Sequence, residues 1–137
     1  MRHRGPDDAG LWCSTDARVV LAHRRLSIID LSAAGCQPFA DATGNSTLVL
    51  NGEVYNYREL RAELQALGHS FRTATDTEVL LAAYAQWGQR CLERLVGMFA
   101  FAIYDQRSRS LFAARDPAGE KPFYYWHSRG TFWFGSE

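Results

Sequence analysis

The sequence predicts an α+β fold built on antiparallel sheets, and three observations carry that expectation. β-type runs occupy both halves of the 137-residue chain, with two helical patterns between them. These patterns do not alternate one for one with strands, as βαβ units would require. The composition, 47% hydrophobic, 13% aromatic and 22% charged, is that of one globular domain over 1–137. A chain of this size buries roughly two thirds of the surface its unfolded form exposes.

Taken in order, residues 1–10 are polar, broken by Gly5-Pro6, and predict no regular element. Residues 19–22 predict a short strand, interrupted by His23-Arg24-Arg25, with a second extended piece over 26–30. Small and turn-forming residues between 32 and 45 describe a surface loop. Residues 47–50 form the next strand, and Asn51-Gly52 after it is the pair most favoured in a type I′ hairpin turn, because both residues tolerate positive φ. Asn56 suits the N-cap of a helix over 57–67, whose Leu60, Leu64 and Leu67 share a face and whose C′ position is Gly68. Thr75 and Glu78 fit a capping box that opens a second helix ending at Gly88, followed by a helical turn over 91–95. In the strand 98–104, Phe99, Phe101 and Ile103 share one face, while Ala100 and Ala102 leave the other thin enough for close packing by a further layer. Strands over 111–115, 123–127 and 131–135 complete an antiparallel meander. Its aromatic stripe, Tyr124, Tyr125, Trp126, Phe132 and Trp133, is expected to be core.

Charge excludes several functions. Fifteen basic residues balance fifteen acidic ones, so no net field recruits nucleic acid or an anionic membrane. No apolar run reaches the roughly 20 residues of a membrane-spanning helix, nor is there an apolar leader, and a cytoplasmic protein is expected. Cys13, Cys36 and Cys91 are odd in number and lack metal-ligand spacing, so reduced thiols and no metal site are expected.

Six stretches carry chemistry: Arg2-His3-Arg4-Gly5-Pro6-Asp7; Leu21-Ala22-His23-Arg24-Arg25-Leu26-Ser27-Ile28; Asn51-Gly52-Glu53-Val54-Tyr55-Asn56; Asp76-Thr77-Glu78-Val79-Leu80; Gly97-Met98-Phe99-Ala100-Phe101-Ala102; and Arg115-Asp116 through Gly119 with Lys121-Pro122. Together they resemble the glutaminase, or type 2 glutamine amidotransferase, domain of the asparagine synthetase family, in that family's order across the whole chain. The resemblance implies a four-layer α/β/β/α sandwich of the N-terminal-nucleophile class, here without its first strand and helix. It also implies a glutamine site. Arg25 would pair with the substrate α-carboxylate, for which a planar guanidinium is suited. Leu26, Ser27, Ile28 and Ile29 would form the adjoining wall, Asp76 would accept the α-ammonium, and Glu53 would make a further polar contact. Asn51 and Gly52 would supply the oxyanion hole from a side-chain amide and a backbone N–H. Read without the resemblance, Arg25 is a solvated member of a basic pair, and Asp76 serves only a helix N-terminus.

The same resemblance implies a nucleophilic cysteine that opens a Cys-Gly-Ile strand and uses its own α-amine as base, so that His3, His23, His69 and His127 are packing or surface groups. That strand is not among these 137 residues, and Cys36 is the least unsuitable internal substitute. The expectation is a fragment, inactive and marginally stable alone, with an open sheet edge. Glutamine hydrolysis would need no cofactor in this domain, whereas ATP and Mg would serve a separate synthetase domain that passes the ammonia to aspartate. That domain and glutamine are the expected partners, with a homodimer among the admissible assemblies. The rival readings are a related synthetase with another acceptor, or a non-catalytic module that binds an amino acid or a partner.

Overall fold

The computed structural model describes residues 3, 5–25 and 35–137. Eight strands and two helices run in the order β1 (Asp8–Cys13), β2 (Val20–Arg25), β3 (Phe39–Ala40), β4 (Ser46–Val54), α1 (Tyr57–Ala66), α2 (Asp76–Trp87), a 3₁₀ helix (Gly88–Arg94), β5 (Gly97–Asp105), β6 (Ser110–Arg115), β7 (Tyr124–Ser128) and β8 (Thr131–Gly135). All pairings are antiparallel. A central sheet has the order β3-β4-β5-β6, and β1-β2 and β7-β8 form two separate pairs.

Alternation along β4 and β5 sorts side chains to the two faces of the central sheet. Leu48, Leu50, Phe99, Phe101 and Ile103 meet Leu80 and Leu81 of α2 in one core cluster. Leu60 and Leu64 of α1 meet Val79 and Ala83 of α2 in an adjoining one. The opposite face, thinned by Ala102, receives Leu21 of β2, with Val49 and Tyr104 beside it and Trp12 and Phe134 at the margin. The layering is therefore helices, central sheet, strand pairs, an α+β sandwich with the small alanine face where the expected further layer docks.

Several local expectations change. The Asn51-Gly52 pair is not a hairpin turn: β4 runs through it to Val54, in continuous register with β5, Asn51 opposite Ala100 and Gly52 opposite Phe99. The actual need for glycine is steric. At φ +139° a Cβ on Gly52 would overlap the Met98 carbonyl oxygen and come within 2.7 Å of Phe99 Cα. Strand β1, in the polar segment for which no element was expected, and the two-residue β3, inside the expected loop, are both defined by their partners rather than by their own sequence. His23-Arg24-Arg25 does not interrupt a strand but completes β2, while the extended piece expected over 26–30 lies outside the described residues. Asn56 makes no N-cap bond. Its side chain instead ties α1 to the segment before β5, accepting from Val96 N–H at 3.0 Å and donating to Arg94 O at 2.9 Å. Half of the capping box forms, Thr75 Oγ1 accepting from Glu78 N–H at 3.2 Å. The Glu78 carboxylate instead accepts from the Arg72 and Thr73 N–H groups.

The aromatic stripe is likewise not core. Tyr124, Tyr125, Trp126 and Trp133 are more than 60% exposed and Phe132 is 44% exposed, because β7 and β8 pair only with each other among the described residues and touch the rest chiefly through Phe134. For the same reason the last four strands are two hairpins in different sheets, not one meander. Replacing Gly52 by Ala is expected to destabilise the domain by about 1–3 kcal/mol through the forbidden φ and the clash with β5, measured as a shift of the urea midpoint at unchanged slope.

Candidate functional site

Two clefts meet beside the end of β4. The first, about 440 Å³, is lined by Arg25 from β2, Asn51, Gly52 and Glu53 from β4, and Asp76 from the start of α2. Every expected site residue within the described part of the chain thus reaches one cavity. Leu26, Ser27, Ile28 and Ile29 lie outside the described residues.

Strand register explains how β4 presents its groups. In a non-hydrogen-bonded antiparallel pair the backbone N–H and C=O point away from the partner strand. Phe99, opposite Gly52, exchanges its backbone bonds with Asp116 on its other side: Asp116 N–H donates to Phe99 O at 2.8 Å, and Phe99 N–H to Asp116 Oδ2 at 3.2 Å. Gly52 N–H therefore points away from β5, off the edge of β4 that borders the cleft. Along that edge Leu50 N–H reaches Gln37 Oε1 at 2.6 Å, and Val54 N–H reaches Asp76 Oδ2 at 3.0 Å. Asn51 projects to the opposite face, alongside Val49 and Ala100, and lines both clefts.

Asp76 is 6% exposed and serves two purposes at once. It is the first residue of α2, in favourable relation to the helix dipole, and it anchors Val54. Burial pushes its carboxyl above the ordinary carboxylate range, with the Glu53 charge adding to the shift and the Val54 and Thr77 N–H groups opposing it. An incoming ammonium would relieve that cost. Arg25 is also nearly buried, at 9% exposure, with Cys36 Sγ 3.8 Å from its Nη1. Gly35 leaves room for the guanidinium: a Cβ there would sit 2.7 Å from Nη2. The arginine is a built-in part of the wall, not a solvated surface group.

Residues without an assigned role in the sequence complete the cavity. Asp116 gathers the Phe99, Glu120 and Lys121 N–H groups. Burial opposes its ionisation, but these main-chain bonds outweigh it and hold the carboxyl below its ordinary value. With Arg115, which donates to Gly119 and Lys121 carbonyls, it fixes the loop that brings Glu120, Lys121 and Pro122 to the cleft. The Arg115-Asp116-to-Gly119 spacing was the available signal, but nothing in it distinguishes a scaffold from a ligand. The lining carries Arg24, Arg25 and Lys121 against Glu53, Asp76 and Glu120, a balance suited to a zwitterion. Among the described residues no three His, Cys, Asp or Glu side chains gather as a metal site, and no helix is long and apolar enough to cross a membrane.

The three thiols sit in different surroundings. Cys13 is exposed on β1 and Cys91 is buried, its thiol pushed up to about 11 by burial. Cys36 donates to Asp8, and that bond followed by burial raises its pKa, which disfavours the thiolate form.

The second cleft, about 320 Å³, runs between residues 20–24 on β2 and 132–136 at β8 over a floor of Val49, Leu50, Asn51, Ala100, Phe101 and Ala102. The five residues of β2 on one wall correspond to roughly 16 Å of extended chain. The two clefts share His23, Arg24, Leu50, Asn51 and Pro122.

A family model described as the glutamine amidotransferase domain matches residues 1–137. The chain belongs to that family. This glutamine amidotransferase domain is 45% identical over 136 residues to asparagine synthetase [glutamine-hydrolyzing] 3 of Bacillus subtilis, covering 98% of the chain and 22% of the relative. It is 43% identical over 138 residues to asparagine synthetase [glutamine-hydrolyzing] 2 of Oryza sativa subsp. japonica, covering 100% and 22%. The chain thus spans about a fifth of the length of these curated relatives. Among solved structures, the glutamine phosphoribosylpyrophosphate amidotransferase of B. subtilis superposes with a TM-score of 0.70 at 25% identity, covering 85% of this chain and 27% of that one. The sandwich is the fold of the N-terminal-nucleophile amidotransferases.

The raised Asp76 pKa has a testable sign. Its neutral form favours the folded state at low pH, and that contribution is lost as pH rises through the raised value. Carboxyl carbon NMR is expected to show Asp76 titrating above 3.8. Asp76→Asn is expected to raise stability at neutral pH, measured as a shift of the urea midpoint.

Proposed function

We propose that this domain binds glutamine and hydrolyses its side-chain amide to glutamate and ammonia. The observation that carries the reading is the convergence of Arg25, Asp76, Asn51 and Gly52 on one cleft in a chain of this family. Arg25 takes the α-carboxylate and Asp76 the α-ammonium, so that the two ends of the zwitterion orient the side chain. Glu53 makes a further polar contact.

The amide carbonyl points to Asn51 and Gly52. A cysteine thiolate attacks its carbon, the carbonyl electrons move to oxygen, and the resulting oxyanion accepts from the Asn51 amide and Gly52 N–H, each donor contributing about 3–4 kcal/mol to the barrier reduction. The tetrahedral intermediate collapses by expelling ammonia, whose extra proton comes from the nucleophile's own α-ammonium. Water then cleaves the thioester to give glutamate. The nucleophile belongs to an extended Cys-Gly-Ile segment lying along the cleft between β2 and β8, which opens beside Asn51. The nitrogen serves ATP- and Mg-dependent asparagine synthesis from aspartate in a synthetase domain of a longer polypeptide, of which a homodimer is one assembly. That the relatives are asparagine synthetases favours this acceptor over others.

The 137-residue chain is expected to bind L-glutamine in calorimetry but to release no ammonia from it. Arg25→Lys, which keeps the charge but removes the planar fork, is expected to weaken binding by about 1.5–3 kcal/mol. Unchanged affinity in that variant would overturn the glutamine site, and ammonia release by the chain on its own would overturn the assignment of the nucleophile to a Cys-Gly-Ile segment outside these 137 residues.

A further inference from the structure

Leu50 directly precedes the Asn51-Gly52 pair, and both of its backbone polar groups on the open edge of β4 are held by side chains. Its N–H donates to Gln37 Oε1 at 2.6 Å. Its carbonyl oxygen accepts from His23 Nε2 at 3.0 Å. Two residues earlier the same edge is paired with a strand, Leu48 opposite Phe39. By alternation residue 37 would pair next, but β3 begins only at Phe39, and the Gln37 side chain takes the place of its backbone. Gln37 Nε2 in turn reaches Thr77 Oγ1 at 3.4 Å, next to Asp76, while His23 comes from β2, two residues from Arg25.

We propose that His23 and Gln37 are positioning residues that clamp the main chain at Leu50 and thereby fix the aim of the Asn51 amide and the Gly52 N–H. The inference rests on the oxyanion role assigned to those two groups. The need for a clamp is geometric. Strand β3 supports β4 only through Thr47 and Leu48, so the segment that would face the substrate has β5 on one side and no strand on the other among the described residues. Donors aimed at a developing charge act only if they do not reorganise, and a one-sided strand end frays unless something else holds it.

The bond to Leu50 O requires the proton on Nε2. His23 is thus the neutral Nε2–H tautomer, and its Nδ1 is buried without a partner among the described residues. Burial chiefly lowers its pKa. Arg25, beside it on β2, acts in the same direction, while the Leu50 carbonyl and Asp8 from β1 oppose the shift. A clamp that stays neutral adds no charge next to Arg25.

The test is amide hydrogen exchange and ¹H–¹⁵N spectroscopy on the 137-residue chain. Wild type is expected to show His23 as the Nε2–H tautomer and slow exchange at Leu50, whose N–H is held by Gln37. His23→Leu and, independently, Gln37→Met are expected to speed exchange at Leu50 at least tenfold and to shift the Gly52 amide and the Asn51 side-chain amide, while Phe101 and Ile103 keep their protection. His23→Gln, which can still present an Nε2–H, is expected to restore most of the protection. An Nδ1–H tautomer, a uniform loss of protection across β5, or no local change in either variant would overturn the clamp. The same samples titrated with L-glutamine separate the two readings: a wild type that ignores glutamine while showing the local pattern removes the glutaminase assignment and leaves the clamp standing.

Discussion

The free edge of β4 is the constraint on which the site depends. Antiparallel pairing commits every second backbone N–H of that strand to β5 and turns the others outward. Four successive outward groups meet four different situations: Leu48 faces a strand, Leu50 a pair of side chains, Gly52 the cleft, and Val54 the Asp76 carboxylate. Because the strand spacing is fixed, the distance from the Gly52 N–H to the Asp76 carboxylate is set by two residues of extended chain and one hydrogen bond. The close approach of β4 and β5 that makes this rigid is possible only with glycine at 52 and at 97, where a Cβ on either would run into the opposite strand.

Burial then gives the cleft its chemistry. Asp76 and Arg25 are both withdrawn from water, where charged groups interact more strongly but cost more to maintain. The opposing responses of two carboxylates make the difference visible. Asp116, supplied with N–H donors, is held in its charged form, and Asp76, short of compensation, resists ionisation. The first carboxylate is saturated by the fold and the second is left wanting a cation.

Much of this architecture was legible in the sequence. The two-faced pattern of Phe99, Phe101 and Ile103 against Ala100 and Ala102 gave the layers, and the leucine spacing in 57–67 gave α1, because each depends on a local period. The family stretches gave Arg25, Asn51, Gly52, Glu53 and Asp76, which do share a cavity. What was not legible is whatever depends on a distant partner. Asn-Gly has the local preference of a turn, and only the register with β5 makes it a strand. Asn56 has the chemistry of a cap and spends it on Val96 and Arg94. β1 has no pattern of its own and exists because β2 lies beside it. The exposed aromatic residues of β7 and β8 were misjudged because hydrophobicity shows that a face can be covered, not that it is.

The Asp116 knot has an evolutionary consequence. Its carboxylate grips main-chain N–H groups, and Arg115 grips main-chain carbonyls. Neither interaction reads the side chains of the loop it holds. Gly119 is the exception, because its φ of +68° and the Arg115 guanidinium 3.1 Å from a would-be Cβ keep it glycine. The other residues of 117–121 can drift in identity while their backbone stays in place, so inheritance of this wall's shape is concentrated in Arg115, Asp116 and Gly119, and variation is delegated to their neighbours.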